Sequence, residues 1–290
     1  MGTTRTAPRL VVTLLQLQSG ARVAIIGDVG GHIDELRAEL SRLGVPQAGN
    51  GPIPDDLWVV QVGDLIHRGP DSSAVVALVD RCLSDDDCRW TQLVGNHEAF
   101  YLRRRRQFSW PDRVSGSTAA KLRTWWRTGR MRPAVALRVS GEDLLVTHAG
   151  LTRGFWQEVL GSPTSAGEAA DALNALALSD QRTLFRPGMM LGYHRVNLAA
   201  GPVWASVSRE VSVSWAGHPM PFSQVHGHSS VYDWAAQRWN VEEPVGDEVE
   251  LDELRKHASL RLNGGRVVGI DPGHAIEARR NWQALELRQE

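Results

Sequence analysis

The chain has 290 residues, 42% hydrophobic and 22% charged, which excludes a disordered, collagen-like or extended coiled-coil protein and allows one large core as readily as two. Its 32 basic and 33 acidic residues leave a net charge of -1, too even for the broad basic footprint of a nucleic-acid-polymer binder, so any bound anion must be held locally. Two cysteines, Cys82 and Cys88, fall short of a disulfide framework or a thiolate zinc site, and the apolar stretch at 10–15 is interrupted by Gln16 and Gln18 before it could cross a bilayer. A cytoplasmic protein with no membrane partner is the expectation.

Residues 22–26 form a short apolar run ending at Gly27-Asp28, as a buried strand does when it delivers a carboxylate at its C-terminal tip. Ile33, Leu36, Leu40 and Leu43 then recur at helical spacing, and Gly44 can stop that helix. The same unit returns at 57–62, leading into Gly63-Asp64 and a helix through Val75, Val76, Leu78 and Val79, and again at 91–94, leading into Gly95-Asn96-His97. Three strand-then-helix units set three polar tips on one edge of a parallel sheet, the edge where open α/β sheets bind ligands. Further strands are expected at 134–139, 143–147 before His148, 222–225 before His226-Gly227-His228, and 266–270 before Asp271, so a second sheet should pack on the first. Residues 161–200 interrupt the strand pattern with a helical stretch and suggest a cap or loop insertion within a single domain over 1–290. Trp125 and Trp126 are expected in the core or at an interface, and the segment around Trp125, with the insertion, is expected to shape the substrate pocket.

A Gly-Asp pair after a strand is weak evidence alone, because Asp commonly caps helices. Five polar tips in order, at Asp28, Asp64, Asn96-His97, His148 and His228, are improbable as caps. Carboxylate, amide oxygen and imidazole suit divalent Mn, Fe, Zn or Mg, and the lack of nearby thiolates disfavours a purely structural zinc. One carboxylate can bridge two cations, and such a pair serves the in-line displacement of phosphoester hydrolysis.

These residues resemble the calcineurin-like metallophosphoesterases, especially the branch holding Ser/Thr protein phosphatases and symmetrical diadenosine tetraphosphate hydrolases. Residues 63–72 look like the family's GDxxDRG motif, 95–98 its GNHE, 147–150 its HAG block, 227–229 its GH(T/S), and 270–273 with 285–287 its closing strands. The resemblance implies an α/β fold, a four-layer αββα sandwich of two mixed β-sheets flanked by helices. It implies two divalent cations, with manganese the first expectation: Asp64 bridging both, Asn96, His148 and His228 completing the second site, and Asp28 holding the first. It further implies Arg68 clamping the phosphate, His97 as the general acid assisted by its neighbour in the motif, and Arg209 as a second phosphate arginine.

Two departures touch the chemistry. Gly30 stands where the family's first-motif ligand histidine belongs, so His32, His67, His226 or water must fill the first site, or leave it weak. His67 stands where an aspartate usually orients the catalytic histidine; related diadenosine tetraphosphate hydrolases also lack an acid there. The phosphorylated substrate is left open: a phosphomonoester first, a nucleotide polyphosphate anhydride second, with a non-enzymatic phosphate-binding module as the third alternative.

Overall fold

The computed structural model describes residues 14–102, 107–191, 195–240, 248–273 and 282–290. Five strands form one sheet: β2 (Arg22–Ile26), β3 (Leu57–Gln61), β4 (Trp90–Leu93) and β5 (Met131–Arg132) run parallel in that order, and β14 (Leu285–Arg288) adds antiparallel to β2. A second sheet has seven strands in the order β1 (Leu14–Gln16), β6 (Ala134–Val139), β7 (Glu142–Thr147), β8 (Ser223–His226), β13 (Gly265–Gly269), β12 (His257–Leu262) and β11 (Glu248–Asp252). It is mixed, with β7, β8 and β13 parallel at its centre and antiparallel pairs on both sides. A short ribbon of β9 (Tyr232–Asp233) and β10 (Arg238–Trp239) stands apart from both.

Side-chain alternation explains the layering. On β2, Val23 and Ile25 enter a core shared with Val60, Leu93, Val135, Leu137, Val146, Val225 and Val268, the inner faces of the two sheets. Ala24 and Ile26 turn the other way, into the core with Leu36 and Leu40 of the helix Ile33–Arg42 and Val75 and Val79 of the helix Ser72–Ser84. The second sheet is likewise covered, because Ala134 and Ala136 of β6 pack with Ala169 and Leu173 of the helix Ala166–Ser179. These strands are buried on both faces, hence their continuous apolar runs. Four layers result, two helical and two of sheet, as the resemblance implied.

The stretch at 161–200 supplies part of a helical layer and three residues of the cavity described below, Met189, Met190 and Leu191. Trp125 is 1% exposed, and its Nε1 donates to Asp80 Oδ1 at 2.8 Å. The expectation of a core tryptophan therefore holds for Trp125, which its indole hydrogen bond locks between helices. His194 and His274 lie outside the described residues.

Truncating Ile25 between the sheets should cost about 2–5 kcal/mol of unfolding free energy in denaturant melts. The same change at Leu178, 88% exposed on the helix Ala166–Ser179, should cost less than about 0.5 kcal/mol. Equal losses would contradict the layer assignment.

Candidate active site

The parallel strands of both sheets deliver their C-terminal tips to one place. Asp28 follows β2, Asp64 follows β3, and Asn96 and His97 follow β4; from the other sheet come His148 after β7, His228 after β8 and Asp271 after β13. The tips interlock. Asp64 O accepts the N–H groups of Val29 and Gly30, Gln61 donates its amide to the carbonyls of Gly27 and Gly63, and Gly227 N–H donates to His148 O. Between the sheets, His228 N–H donates to Asp28 Oδ1 at 3.0 Å, and a Cβ on Gly227 would lie 2.1 Å from that same oxygen, so only glycine admits this approach. Asp64, His67, Arg68 and His228 all hold left-handed backbone, at φ 56, 73, 64 and 64°. For non-glycine residues each such conformation costs on the order of 1–2 kcal/mol, and surrounding contacts must enforce it.

Glu98 supplies much of that enforcement. Fully buried, its carboxylate accepts the N–H groups of Asp64 (2.8 Å), Leu65 (2.9 Å) and Gly95 (2.9 Å). It therefore clamps the loop after β3 to the loop after β4. The His97 imidazole meets a second ring: His67 Nδ1 lies 2.6 Å from His97 Nδ1, and His67 Nε2 lies 2.7 Å from the Tyr101 hydroxyl. His67 thus occupies the orienting position with a ring in place of a carboxylate.

The donor set fits a divalent cation. Asp64, His148 and His228 each offer an atom within 4.8 Å of the others. His148 donates Nδ1–H to Val62 O at 3.1 Å, which leaves the Nε2 lone pair facing the Asn96 amide at 2.9 Å and Asp64 Oδ1 at 3.5 Å. His228 Nε2 is buried without a hydrogen-bond partner among the described residues. Turned nitrogen-inward, the Asn96 amide would donate to His228 Nδ1, His148 Nε2 and Asp64 Oδ2 at 3.0, 2.9 and 2.9 Å; turned oxygen-inward, it adds one more lone pair around a cation. Burial, followed by the charges of Asp271 and Asp64, pushes the Asp28 carboxyl well above its ordinary range. Burial and then Glu98 do the same to Asp64, while burial holds His148 down at about 3. Carboxylates that disfavour their own charge and imidazoles that stay neutral are what a cation relieves.

One cavity of about 580 Å³ takes in Asp28, Asp64, Asn96, His97, His228 and both arginines, Arg68 and Arg209. The Arg68 guanidinium sits 5.2 Å above the Trp110 ring, and exposed Arg209 rides a π-helical turn, Val207–Val211. That turn is tied to the insertion by buried Glu210, which accepts the N–H groups of Met189, Asn197 and Ser206. Asp271, which follows the strand expected at 266–270 and falls in the closing motif, lines the cavity beside Asp28 and Gly30. The histidines offered for the gap at Gly30 do not reach it. His32 packs against Gly69 and faces Glu35, with Nδ1–Oε1 at 3.6 Å; His226 is fully buried with Nδ1 at 2.7 Å from Gly227 O; His67 is engaged by His97 and Tyr101. Gly30 itself has φ 54°, a left-handed backbone that Asp64, His67 and His228 share.

The calcineurin-like phosphoesterase family model matches residues 21–251, well over half the chain. The chain belongs to the calcineurin-like phosphoesterases. It is similar to two curated relatives named symmetrical bis(5'-nucleosyl)-tetraphosphatases. One, of Acidovorax sp. (strain JS42), is 34% identical over 132 residues, 43% of each chain. The other, of Photorhabdus laumondii subsp. laumondii, is 32% identical over 136 residues, 44% of each. The matches thus span less than half the length of these relatives. Among solved structures, the cold-active protein-tyrosine phosphatase of a psychrophilic Shewanella shares the fold, with a TM-score of 0.53 and 17% identity over 95% of this chain and 77% of that one. The calcineurin-like phosphoesterases are a family of metal-dependent hydrolases, and Asp64, His148 and His228 form a candidate metal-binding group among the described residues. Among the described residues, no helix is long and apolar enough to cross a membrane.

Asp64→Asn should abolish Mn²⁺ binding by chelator-stripped protein, read by elemental analysis. The same change should raise the Tm of the metal-free protein by roughly 2–4 °C, the shift that about 1 kcal/mol brings in a large domain, because it removes a buried like charge. Metal retained at wild-type stoichiometry would take Asp64 out of the ligand set.

Proposed function

We propose that this phosphoesterase hydrolyses the phosphoanhydride bonds of nucleoside polyphosphates, with dinucleoside polyphosphates as its preferred class. The observation that carries this reading is the makeup of the cavity: about 580 Å³ joins the metal-ligand cluster and two guanidinium groups to five aromatic rings, Phe108, Trp110, Trp204, Tyr232 and Trp234. Such a volume suits a nucleotide-sized ligand, and aromatic faces give bases a surface to stack on. A phosphate group alone needs neither. The names of the two similar tetraphosphatases support the same reading, which ranks the anhydride above the phosphomonoester first expected.

Two divalent cations are part of the proposal, with oxygen and nitrogen donors that suit Mn, Fe, Zn or Mg. Asn96, His148 and His228 would hold one, Asp28 and Asp271 the other, and Asp64 would bridge them, so Asp271 takes the place that Gly30 leaves empty. When bound, the cations supply charge that polarises the phosphoryl group and acidifies an attacking water. Arg68 and Arg209 bind and orient the phosphate chain, their planar forks matching phosphate oxygens in pairs. The backbone pinned by Glu98 keeps Asp64 and His97 in register with that chain.

With Mn²⁺ present, kcat/KM for diadenosine tetraphosphate should exceed that for p-nitrophenyl phosphate, with ADP as the product seen by chromatography. The reverse order would restore the phosphomonoester reading, and bound metal without turnover of either would support a phosphate-binding module. Arg68→Lys should lower kcat/KM with metal content unchanged; an unaltered rate would make Arg68 structural. In calorimetric titration, Asp271→Asn should weaken one of two Mn²⁺ sites and spare the other, whereas two intact sites would remove Asp271 from the ligands.

A further inference from the structure

Five aromatic rings line the cavity, and they are not equally available to a ligand. Trp204 is 2% exposed, and its Nε1 donates to Gln107 Oε1 at 3.0 Å. Trp110 already carries the stacked His67 ring, at 5.4 Å and 14°, together with the Arg68 guanidinium. Phe108 is hemmed by Phe100, Trp204 and His97, with ring centroids 5.1, 5.4 and 5.6 Å away. These three rings form a packed wall that supports Arg68 and His97.

The other two stand on the ribbon of β9 and β10. Trp234 is 8% exposed and lies under the Lys256 ammonium, 5.3 Å from its ring centre, so it backs the ribbon. Tyr232 is only half-buried. Trp234 and Trp239 meet its ring at 66 and 76°, with centroids 5.0 and 5.2 Å away, which fixes the plane of the phenol. The ribbon is anchored to the loop that follows His228: Tyr232 N–H donates to Ser230 Oγ, Asn240 N–H to Val231 O and Asn240 Nδ2 to Ser230 O. A second apolar group reaches the same cavity from the insertion, since Met190 lines it while 45% exposed.

The turn that carries Arg209 joins these two groups. Val207 N–H donates to Ser229 Oγ at 3.1 Å, at the foot of the ribbon, and Glu210 accepts the N–H of Met189 at 3.0 Å, next to Met190. A guanidinium suited to phosphate is thus tied on one side to a fixed aromatic ring and on the other to a flexible, polarizable thioether. A ligand that satisfies all three carries phosphate and a flat apolar group on one molecule. A nucleotide is that combination.

We propose that Tyr232 and Met190 are specificity-determining residues that bind a nucleobase, while Arg209 holds the phosphates attached to it. The base stacks on the Tyr232 ring and the Met190 side chain covers it. A polyphosphate without a base engages only the metal cluster and the arginines. The inference rests on the proposed nucleoside polyphosphate activity for its substrate class, and it assigns the base to the ribbon and the insertion, away from the inner wall of rings.

The test uses the whole chain loaded with Mg²⁺. In calorimetric titration, ADP should bind more tightly than inorganic pyrophosphate. Tyr232→Ala should lower that preference by at least about fivefold, the lower end of what one stacked base contributes, and Tyr232→Phe, which keeps the ring, should preserve it. Met190→Ala, at an exposed position, should lower it roughly fourfold, the worth of about one buried methylene. Turnover should follow: in Tyr232→Ala, kcat/KM for diadenosine tetraphosphate falls relative to that for inorganic tripolyphosphate. An unchanged preference for ADP in Tyr232→Ala and Met190→Ala overturns the proposal, even with diadenosine tetraphosphate hydrolysed, and equal losses for ADP and pyrophosphate reduce the ribbon to scaffold. If Tyr232→Ala does not fold, the Met190→Ala preference decides alone. If diadenosine tetraphosphate is not hydrolysed while ADP binding still depends on Tyr232, the proposed function fails and the base pocket stands.

Discussion

Ligand atoms brought to one point from two different sheets are the constraint around which this site is built. Asp64, Asn96, His148 and His228 come from two different sheets, and His148 has already given its one proton to Val62 O. Two carboxyls, Asp28 and Asp64, are buried where neither welcomes its own charge. Folding alone leaves that set unfavourable. The scaffold must therefore hold it by force, and the left-handed backbone at Asp64 and His228 marks where the force is applied.

Two buried carboxylates with no metal role transmit it. Glu98 collects three backbone N–H groups from the loops after β3 and β4, and Glu210 collects three from the insertion and the turn that carries Arg209. A carboxylate satisfied by several N–H groups is a strong and directional tie. Glu98 fixes the metal-ligand edge and Glu210 fixes the phosphate-binding edge. The insertion consequently works as a wall of the cavity, with Met189, Met190 and Leu191 facing the cluster from outside the sheets.

Much of this was legible along the chain because it is local. Apolar runs ending in Gly-Asp, Gly-Asn-His or Gly-His mark strand tips, and in a parallel sheet the tips share one edge, so Asp28, Asp64, Asn96, His97, His148 and His228 could be gathered without coordinates. Arg209 was reachable for a similar reason: a second phosphate arginine was expected ahead of His228, and the structure lines the cavity with it. Asp271 was not recognised, since one carboxylate after an apolar run does not reveal whether its loop folds over Asp28. Nor was the role of Glu98, because a motif spells out adjacency to His97 but not the three amides it accepts.

The sequence by itself determined the strand order within each βα unit, the burial of those strands on both faces and the chemical class of the donors, since all three follow from periodicity and residue type over a few positions. Tertiary structure decided how the gaps in the pattern are filled. His32 sits only two residues beyond Gly30, yet it turns to Glu35, while Asp271 arrives from the far end of the chain. His67 is read in sequence as a lost aspartate and becomes, once Tyr101 and His97 flank it, the middle of a hydrogen-bonded row of side chains. Spacing along a chain fixes which groups can be near; the direction of a side chain and the placement of its proton depend on partners that only the packed loops bring within hydrogen-bond reach.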